Sequence, residues 1–518
     1  MRYRIKNSLP GTMTTIVVYL LLFILQFGLI YYLMTIVSEA TRYARIAFLF
    51  LDFAVAMHII NDHTNDSTYK IAYLFVMIIF PVFGSFLYLF SKWDLIRRSV
   101  SDRIHTSMAV SEPLYHQDPE VLKEVLEDDP LIHNTLRFLW DTEGYPSYPL
   151  QGWRYYPLGE EYIDDLIEEL KKAKNFIFME YFIIQQGKCW DRIMDVLVDK
   201  VRSGVEVRVL LDGTALVTKV PFTFARELKK LGIEAAIFKP IVPVVSLYQN
   251  HRDHRKIAVI DNRVAFTGGV NLADEYANEV ELFGHWKDTG VKVTGPSVNS
   301  FTNMFLTMWH VANGRERDRE CIYYTPFDEE DFQTYSGGTI TPFGDDPYGA
   351  HRIGKEIICD MINQSTEYLH ITTPYLILDE ETKGDLIHLA ESGAEVIIVT
   401  PHIPDKRVVF LVTRSYYKDL LRSGVRIFEY SPGFIHAKNF ISDGRKTLLG
   451  TINCDYRSLF LHFECGAYIY DEALTGEVEG DFQKILSQSE EITLERTLSF
   501  SRTQRALGRI LRIFAPMM

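Results

Sequence analysis

Cysteine is scarce in this chain of 518 residues: there are five, at Cys189, Cys321, Cys359, Cys454 and Cys465. They are scattered, odd in number and without the close pairs that hold zinc. That excludes a disulfide scaffold and a structural metal site, and the thiols read as reduced packing residues facing a reducing compartment. The histidines are dispersed too, so neither a metal nor a cofactor is expected. Positive charge is in deficit: 54 Lys and Arg stand against 68 Asp and Glu, a net charge of −14. Such a surface argues against a nucleic-acid partner. With 20 Pro and 31 Gly there is no collagen-like or low-complexity bias. What abounds is apolar sequence, 47% of a chain too long for one domain.

The apolar residues concentrate first at the N-terminus. Thr12 to Val37 is nearly continuous and uncharged, long enough to cross a hydrocarbon core of about 30 Å. It follows Arg2, Arg4 and Lys6 but lacks a small-residue cleavage pattern, so an uncleaved anchor is expected. Ile71 to Phe90 reads as a second span. Between them Ile46 to Ile60 is shorter and carries Asp52 and His58: a third span, a re-entrant piece or an interfacial helix, with Asp52 an interface-facing or paired carboxylate. Two spans would leave both basic flanks in the cytoplasm, where the remainder of the chain is expected.

Residues 1–92 thus form a membrane region, and 93–138 a polar, helical linker. An α/β rhythm follows, in two copies: 139–325 and 326–500. Asn175 to Ile184 and Val205 to Leu211 read as buried strands between helices. Ser392-Gly393-Ala394-Glu395-Val396 echoes Ser203-Gly204-Val205-Glu206-Val207. The expected fold class is α/β, two related domains packed about a pseudo-twofold axis behind transmembrane helices, with one site at their interface.

The repeat carries chemistry. His254-Arg255-Lys256, Asp261, Gly268-Gly269 and Asn271 recur at equal intervals as His436-Ala437-Lys438, Asp443, Gly450-Thr451 and Asn453. On a strand, residues two apart share a face, which would set each His beside its Lys. An imidazole nucleophile beside an ammonium suits phosphodiester chemistry. Two half-sites supply one His to attack and another to protonate the leaving oxygen. Asp261 and Asp443 stand seven steps beyond their His, roughly 23 Å along an extended chain. Both read as structural, in the hairpin turns Asp261-Asn262 and Asp443-Gly444. The imidazoles need another group to fix their tautomer, and Asp288 and Glu464, each just before an alternating strand, are the candidates. Gly268 and Gly450 are expected to let backbone approach phosphate, and Asn271 and Asn453 to donate to it. His251 and Arg255 read as rim residues, and Tyr375 as core or channel lining.

These motifs resemble the phospholipase D superfamily. Several stretches are similar to bacterial cardiolipin synthases in particular: Asn250 to Lys256, Thr372-Thr373-Pro374-Tyr375, Pro432 to Lys438, and Asn453 to Ser458 leading into Leu461-His462-Phe463-Glu464. Gly269 and Thr451 depart from the serine that the superfamily often carries. The resemblance implies two phospholipase D-like domains and a phosphohistidine intermediate, with His254 the favoured nucleophile. It also implies conversion of two phosphatidylglycerol molecules into cardiolipin and glycerol at the bacterial plasma membrane. A membrane-bound hydrolase releasing phosphatidic acid is the alternative, and a non-catalytic scaffold the third reading. At residues 501–518, Arg502, Arg505, Arg509 and Arg512 share one helical face opposite Leu507, Ile510, Leu511 and Phe514. That suits either an anionic bilayer surface or packing on the catalytic part.

Overall fold

The structure is a computed structural model that describes residues 42–62, 67–92, 100–104, 106–107, 117–240, 250–313, 323 and 337–515, with isolated positions 24, 28 and 32. The first expected span, Thr12 to Val37, and Cys321 lie essentially outside the described residues. Helix α1 (Arg42–Asn61) is followed by α2 (Ser67–Ile79) and α3 (Phe83–Lys92). The expected span Ile71 to Phe90 is thus not one rod. Pro81 breaks it, and Val82 takes a left-handed φ of 64°. The chain then doubles back so tightly that a Cβ on Gly84 would lie 2.6 Å from the Met77 Cα. Asp52 secures this break: its carboxylate accepts from the Val82 N–H at 3.1 Å and the Ser85 hydroxyl at 2.5 Å. It is paired, as expected, but with a helix start. Among the described residues no helix is long and apolar enough to cross a membrane. Even so, α1 to α3 expose Leu49, Phe50, Phe53 and Ile78 by 65–77%.

Helices α4 (Pro119–Asp128) and α5 (Pro130–Glu143) form the later part of the linker and run past its expected end, each opened by an aspartate cap with Pro at the first helical position. They are no tether: Leu136 and Leu139 are buried in a core with Ile357, Ile371 and Leu448.

Two sheets follow with one topology. The first, in the order β2-β9-β7-β6-β3-β4-β5, comprises β2 (Gly152–Tyr156), β3 (Phe176–Tyr181), β4 (Glu206–Asp212), β5 (Glu234–Phe238), β6 (Lys256–Ile260), β7 (Val264–Gly268) and β9 (Gly290–Thr294). The second, β1-β10-β17-β16-β15-β11-β12-β13-β18, repeats that order. It comprises β10 (Thr339–Asp345), β11 (Tyr368–Thr372), β12 (Glu395–Pro401), β13 (Arg426–Tyr430), β15 (Asn439–Ser442), β16 (Lys446–Gly450) and β17 (Glu464–Tyr470). It adds an edge strand at either side, β1 (Tyr148–Pro149) and β18 (Ser489–Ile492). Tyr148 pairs with Ile340, so a strand placed by the sequence in the first domain completes the second sheet.

In each half the strands flanking the crossover helices are parallel and the motif hairpin is antiparallel. Helix α6 (Gly159–Lys172) and α7 (Lys188–Arg202) cover the outer face of the first sheet, burying Ile163, Leu166, Ile193 and Leu197 at helical spacing. Helix α8 (Val298–Asn313) and α12 (Glu472–Ser487), each the continuation of the strand that follows a motif hairpin, lie in the layer between the sheets. One continuous core there joins Phe178, Val259, Phe301 and Phe305 to Val399, Ile441, Val478 and Phe482. The second sheet is flanked outside by α9 (Ile353–Asn363), α10 (Glu380–Glu391) and α11 (Arg407–Arg422). Helices α13 (Leu494–Ser499) and α14 (Arg502–Arg512) close the described chain.

Candidate active site

The two motif hairpins turn at Asp261-Asn262, with φ of 54° at both, and at Asp443-Gly444, with φ of 50° and 68°. These are the two-residue turns expected from sequence. Each aspartate reaches the start of its neighbouring strand. Asp261 accepts the backbone N–H groups of Lys174, Asn175 and Phe176 at 2.7–2.8 Å. Asp443 accepts those of Thr366, Glu367 and Tyr368 at 3.0 Å. Burial opposes ionisation of Asp443, but those three donors prevail and hold its carboxyl below the usual range. Both aspartates act on the fold, at the hairpin end away from the histidines. Asp261→Ala strands three donors. It is expected to destabilise the protein by about 2–4 kcal/mol while the folded fraction keeps its turnover, which thermal unfolding measured beside specific activity will check.

The histidines do not stand within the strands. His254 and His436 lie in short connections just before β6 and β15, so strand alternation is not what pairs each with its lysine. Contact between the two halves fixes them instead. Strand β14 (Gly433–Ile435) runs parallel to β8 (His285–Lys287), with Ile435 opposite Lys287. The His436 N–H donates to the Lys287 carbonyl at 2.7 Å, which sets His436 beside Asp288. On the other side of the pseudo-twofold axis Asp253 bridges Phe463, and the His254 N–H donates to the Phe463 carbonyl at 2.9 Å, setting His254 beside Glu464.

The result is a crossed pairing. His254 Nδ1 meets both Glu464 oxygens at 2.9 and 3.0 Å, and His436 Nδ1 meets Asp288 Oδ2 at 2.6 Å. Each imidazole belongs to one half and its carboxylate to the other. With Nδ1–H held by a carboxylate, the Nε2 lone pair of a neutral ring is left for chemistry. The two carboxylates are supported differently. The Thr451 hydroxyl donates to Glu464. At the equivalent place Gly269 is required, because a Cβ would lie 1.9 Å from Asp288 Oδ1.

All these groups are buried. Burial first, then the Lys256 charge, pushes His254 well below the ordinary imidazole value, against the pull of Glu464. Burial and Lys438, whose Nζ lies 2.9 Å from Nδ1, lower His436 to about 4 against Asp288. Burial lowers Lys256 to about 8 and Lys438 to about 7. Both lysines feel Asp288 and Glu464 together, and Lys438 also feels Lys256, so the halves form one electrostatic unit. Burial disfavours the Glu464 anion, but His254 and His462 keep it strongly acidic. Burial and the neighbouring lysines thus favour the neutral form of both imidazoles, while each carboxylate favours the charged one.

Other expectations need correction. Gly268 and Gly450 face a neighbouring strand: a Cβ would lie 2.4 Å from the Thr289 carbonyl oxygen in one and 2.3 Å from that of Cys465 in the other. Close strand packing accounts for both. Asn271 is committed to the fold, accepting from the Ile183 N–H at 3.0 Å and donating to the Tyr276 hydroxyl at 2.9 Å. Asn453 is buried with its side-chain oxygen unpartnered, an acceptor open to a donor such as a ligand hydroxyl and not to a phosphate oxygen. Arg255 is no rim residue: it is buried, 2.7 Å from Glu180 and 3.5 Å from Asp253. The His251 ring packs 5.0 Å from that of Tyr348. Tyr375 packs on Phe434 and donates to Asp405.

Sequence reasoning gave no role to the walls of the site. Phe182 and His462 flank His254 at 5.0 and 5.4 Å between ring centres, while Tyr276 and Trp286 flank His436 at 5.4 and 5.6 Å. His462 is buried with neither ring nitrogen hydrogen-bonded, though Nδ1 lies 3.5 Å from Glu464. Its position two residues before Glu464 was the available signal. His254, His462 and Glu464 are close enough together to hold a cation, but the lysine charges beside them disfavour one.

Comparison with known proteins places this arrangement. The sequence matches the family described as cardiolipin synthase, PLD-like domain, over residues 166–309 and 358–486. Residues 50–92 match the phospholipase D-nuclease N-terminal family. A cardiolipin synthase of Oceanobacillus iheyensis is 32% identical over 86% of this chain and 92% of its own length. Cardiolipin synthase 2 of Bacillus anthracis is 32% identical over 88% of each. Among solved structures, phosphatidylserine synthase of Haemophilus influenzae superimposes with a TM-score of 0.56 at 17% identity, covering 74% of this chain and 98% of that one.

Proposed function

Because the chain belongs to the cardiolipin synthase family of phospholipase D-like proteins, we infer that it is a phosphatidyltransferase joining two phosphatidylglycerol molecules into cardiolipin with release of glycerol. The crossed pairing of His254 with Glu464 and His436 with Asp288 carries the reading, since it presents two imidazoles of fixed tautomer to one site.

A phosphatidylglycerol enters with its phosphodiester between Lys256 and Lys438. That anion raises both imidazole pKa values, and one ring takes up a proton. His254 Nε2 attacks phosphorus: a P–N bond forms and the P–O bond to glycerol breaks, while His436 passes its proton to the departing oxygen. Charge on the phosphoryl oxygens is stabilised by the two ammonium groups. Glycerol leaves, and a hydroxyl of a second phosphatidylglycerol enters. It loses its proton to His436 and attacks, and the P–N bond breaks. The lysines occupy the electrostatic role, so the steps need no metal.

Burial of the imidazoles limits water at the site, which supports acceptance of an alcohol. The exposed apolar residues of α1–α3 and the N-terminal family match support association with a membrane. The location proposed is the bacterial plasma membrane, with the catalytic halves on its cytoplasmic side. Purified protein given phosphatidylglycerol is expected to yield cardiolipin and equimolar glycerol. Phosphatidic acid as the sole lipid product would identify a hydrolase.

A pH dependence follows from the lysines, which hold phosphate only while protonated. They are cationic below their pKa values and lose charge as pH rises through about 7 for Lys438 and about 8 for Lys256. kcat/KM is therefore expected to fall over that interval. Lys438→Arg stays charged and should move the fall upward, toward the Lys256 value. A limb unmoved in that variant would remove the assignment.

A further inference from the structure

Helix α14 packs across α11, where Gly508 sits so near that a Cβ would lie 2.6 Å from the Leu411 carbonyl oxygen. Its last turn is tied down. The Arg512 guanidinium lies 3.9 Å over Tyr416 and pairs with Glu380 at 3.1 Å and Asp419 at 3.5 Å. Beyond it, Phe514 meets Phe75 of α2 edge to face at 5.9 Å. The sequence left open whether this helix is packed or lies on a bilayer; it is packed, yet Leu507 and Ile510 remain 46% and 55% exposed.

The earlier basic residues of α14 are placed differently. Arg505 and Arg509, with Lys418 of α11, line an open cleft between α11, α13 and α14. Among the described residues none of the three has an acidic partner within ion-pair distance, and Arg505 Nε is buried without a hydrogen bond. Arg414 also borders the cleft, but Glu429 neutralises it at 2.7 Å and it stacks over Phe500 at 4.5 Å. Three cations without an acidic partner at one place run against a net charge of −14, and an anion bound between them would be attracted by all three. Ser415, Thr497 and Gln504 add polar groups to the wall, and Leu411, Phe500 and Leu498 make its apolar part, the last 55% exposed.

We propose that this cleft is a second lipid site, which holds the phosphodiester headgroup of an anionic phospholipid of the membrane while the lipid's acyl chains leave over Leu498. Two observations select a lipid over a soluble phosphate. The cationic floor has an exposed apolar rim, and the same helix continues through Phe514 to the apolar N-terminal helices. The cleft shares no residue with the crossed histidine site, so the inference does not rest on the reaction assigned there. A lipid held here keeps the catalytic halves against the bilayer without being consumed.

The test uses the full chain in neutral detergent, carrying His254→Ala and His436→Ala so that lipid cannot turn over. Hydrogen exchange across residues 494–512 is followed with dioctanoyl phosphatidylglycerol, dioctanoyl phosphatidylcholine or glycerophosphoglycerol. Phosphatidylglycerol alone is expected to slow exchange there. Adding Lys418→Gln, Arg505→Gln and Arg509→Gln should weaken that half-saturation at least tenfold. Lys418→Gln alone, on a partly exposed side chain, should weaken it severalfold without disturbing the fold, and Lys418→Arg should restore it. Equal protection by phosphatidylcholine, equal protection by the lipid-free headgroup, or protection that survives the triple change would each overturn the proposal. Failure of the catalytic reading would leave this result untouched.

Discussion

His254→Ala is expected to lower turnover by roughly three to six orders of magnitude, and His436→Ala by a similar factor. If each half were a separate site, either single change would leave about half the activity. The structure requires near-total loss from both, because one imidazole supplies the nucleophile and the other the proton. The losses are also expected to be non-additive: the double variant should fall little below either single one, since residues that act as a unit cannot be lost twice. Steady-state cardiolipin formation, compared at saturating phosphatidylglycerol across the three variants, measures this directly. Each imidazole is buried against a carboxylate of the other half, so its removal also costs stability, and far-ultraviolet circular dichroism with thermal unfolding of each variant separates that cost from the loss of turnover.

Glu464→Gln is the second large effect. Its carboxylate lies on the half opposite the ring it orients, at 2.9 Å from His254 Nδ1. An amide in its place can donate to Nδ1 and so favour the tautomer that carries hydrogen on Nε2, removing the attacking lone pair. The expected loss is on the order of 10³- to 10⁴-fold in kcat, the scale found when a tautomer-fixing carboxylate becomes an amide, with KM changed little. Asp288→Asn should act on His436 in the same way, but its role is to deliver a proton. Its effect should therefore shrink with a phosphatidyl ester of nitrophenol, whose leaving oxygen needs no proton, while the Glu464→Gln effect persists. A carboxylate that merely braced the fold would show no such split.

Much of this was readable in the sequence, because repetition is a one-dimensional signal. The equal intervals from His254 to Asn271 and from His436 to Asn453 become matching hairpins, and Asp288 and Glu464 each sit two residues before the glycine, Gly290 or Gly466, that pairs with the motif hairpin. What intervals cannot carry is which half a side chain faces. The crossed pairing depends on β14 meeting β8 and on the bridge from Asp253 to Phe463, contacts between segments far apart in the chain. Gly268 and Gly450 were misread for a related reason: a glycine opposite a strand and a glycine opposite a phosphate look alike until the neighbour is known. Arg255 was assigned to the rim because an arginine is usually exposed, yet Glu180, buried in the adjacent strand, compensates it. In the second apolar run composition hid backbone chemistry. Ile71 to Phe90 is apolar throughout, but Pro81 and Gly84 fold it into a helical hairpin.

The shared site is tested most directly by counting covalent intermediates. Full-length protein mixed with labelled phosphatidylglycerol and quenched within one turnover should carry at most one phosphatidyl group per chain, mapped by peptide mass to His254 and absent from the Glu464→Gln variant. Two groups per chain, one on each of His254 and His436, would mean two independent half-sites and contradict the account.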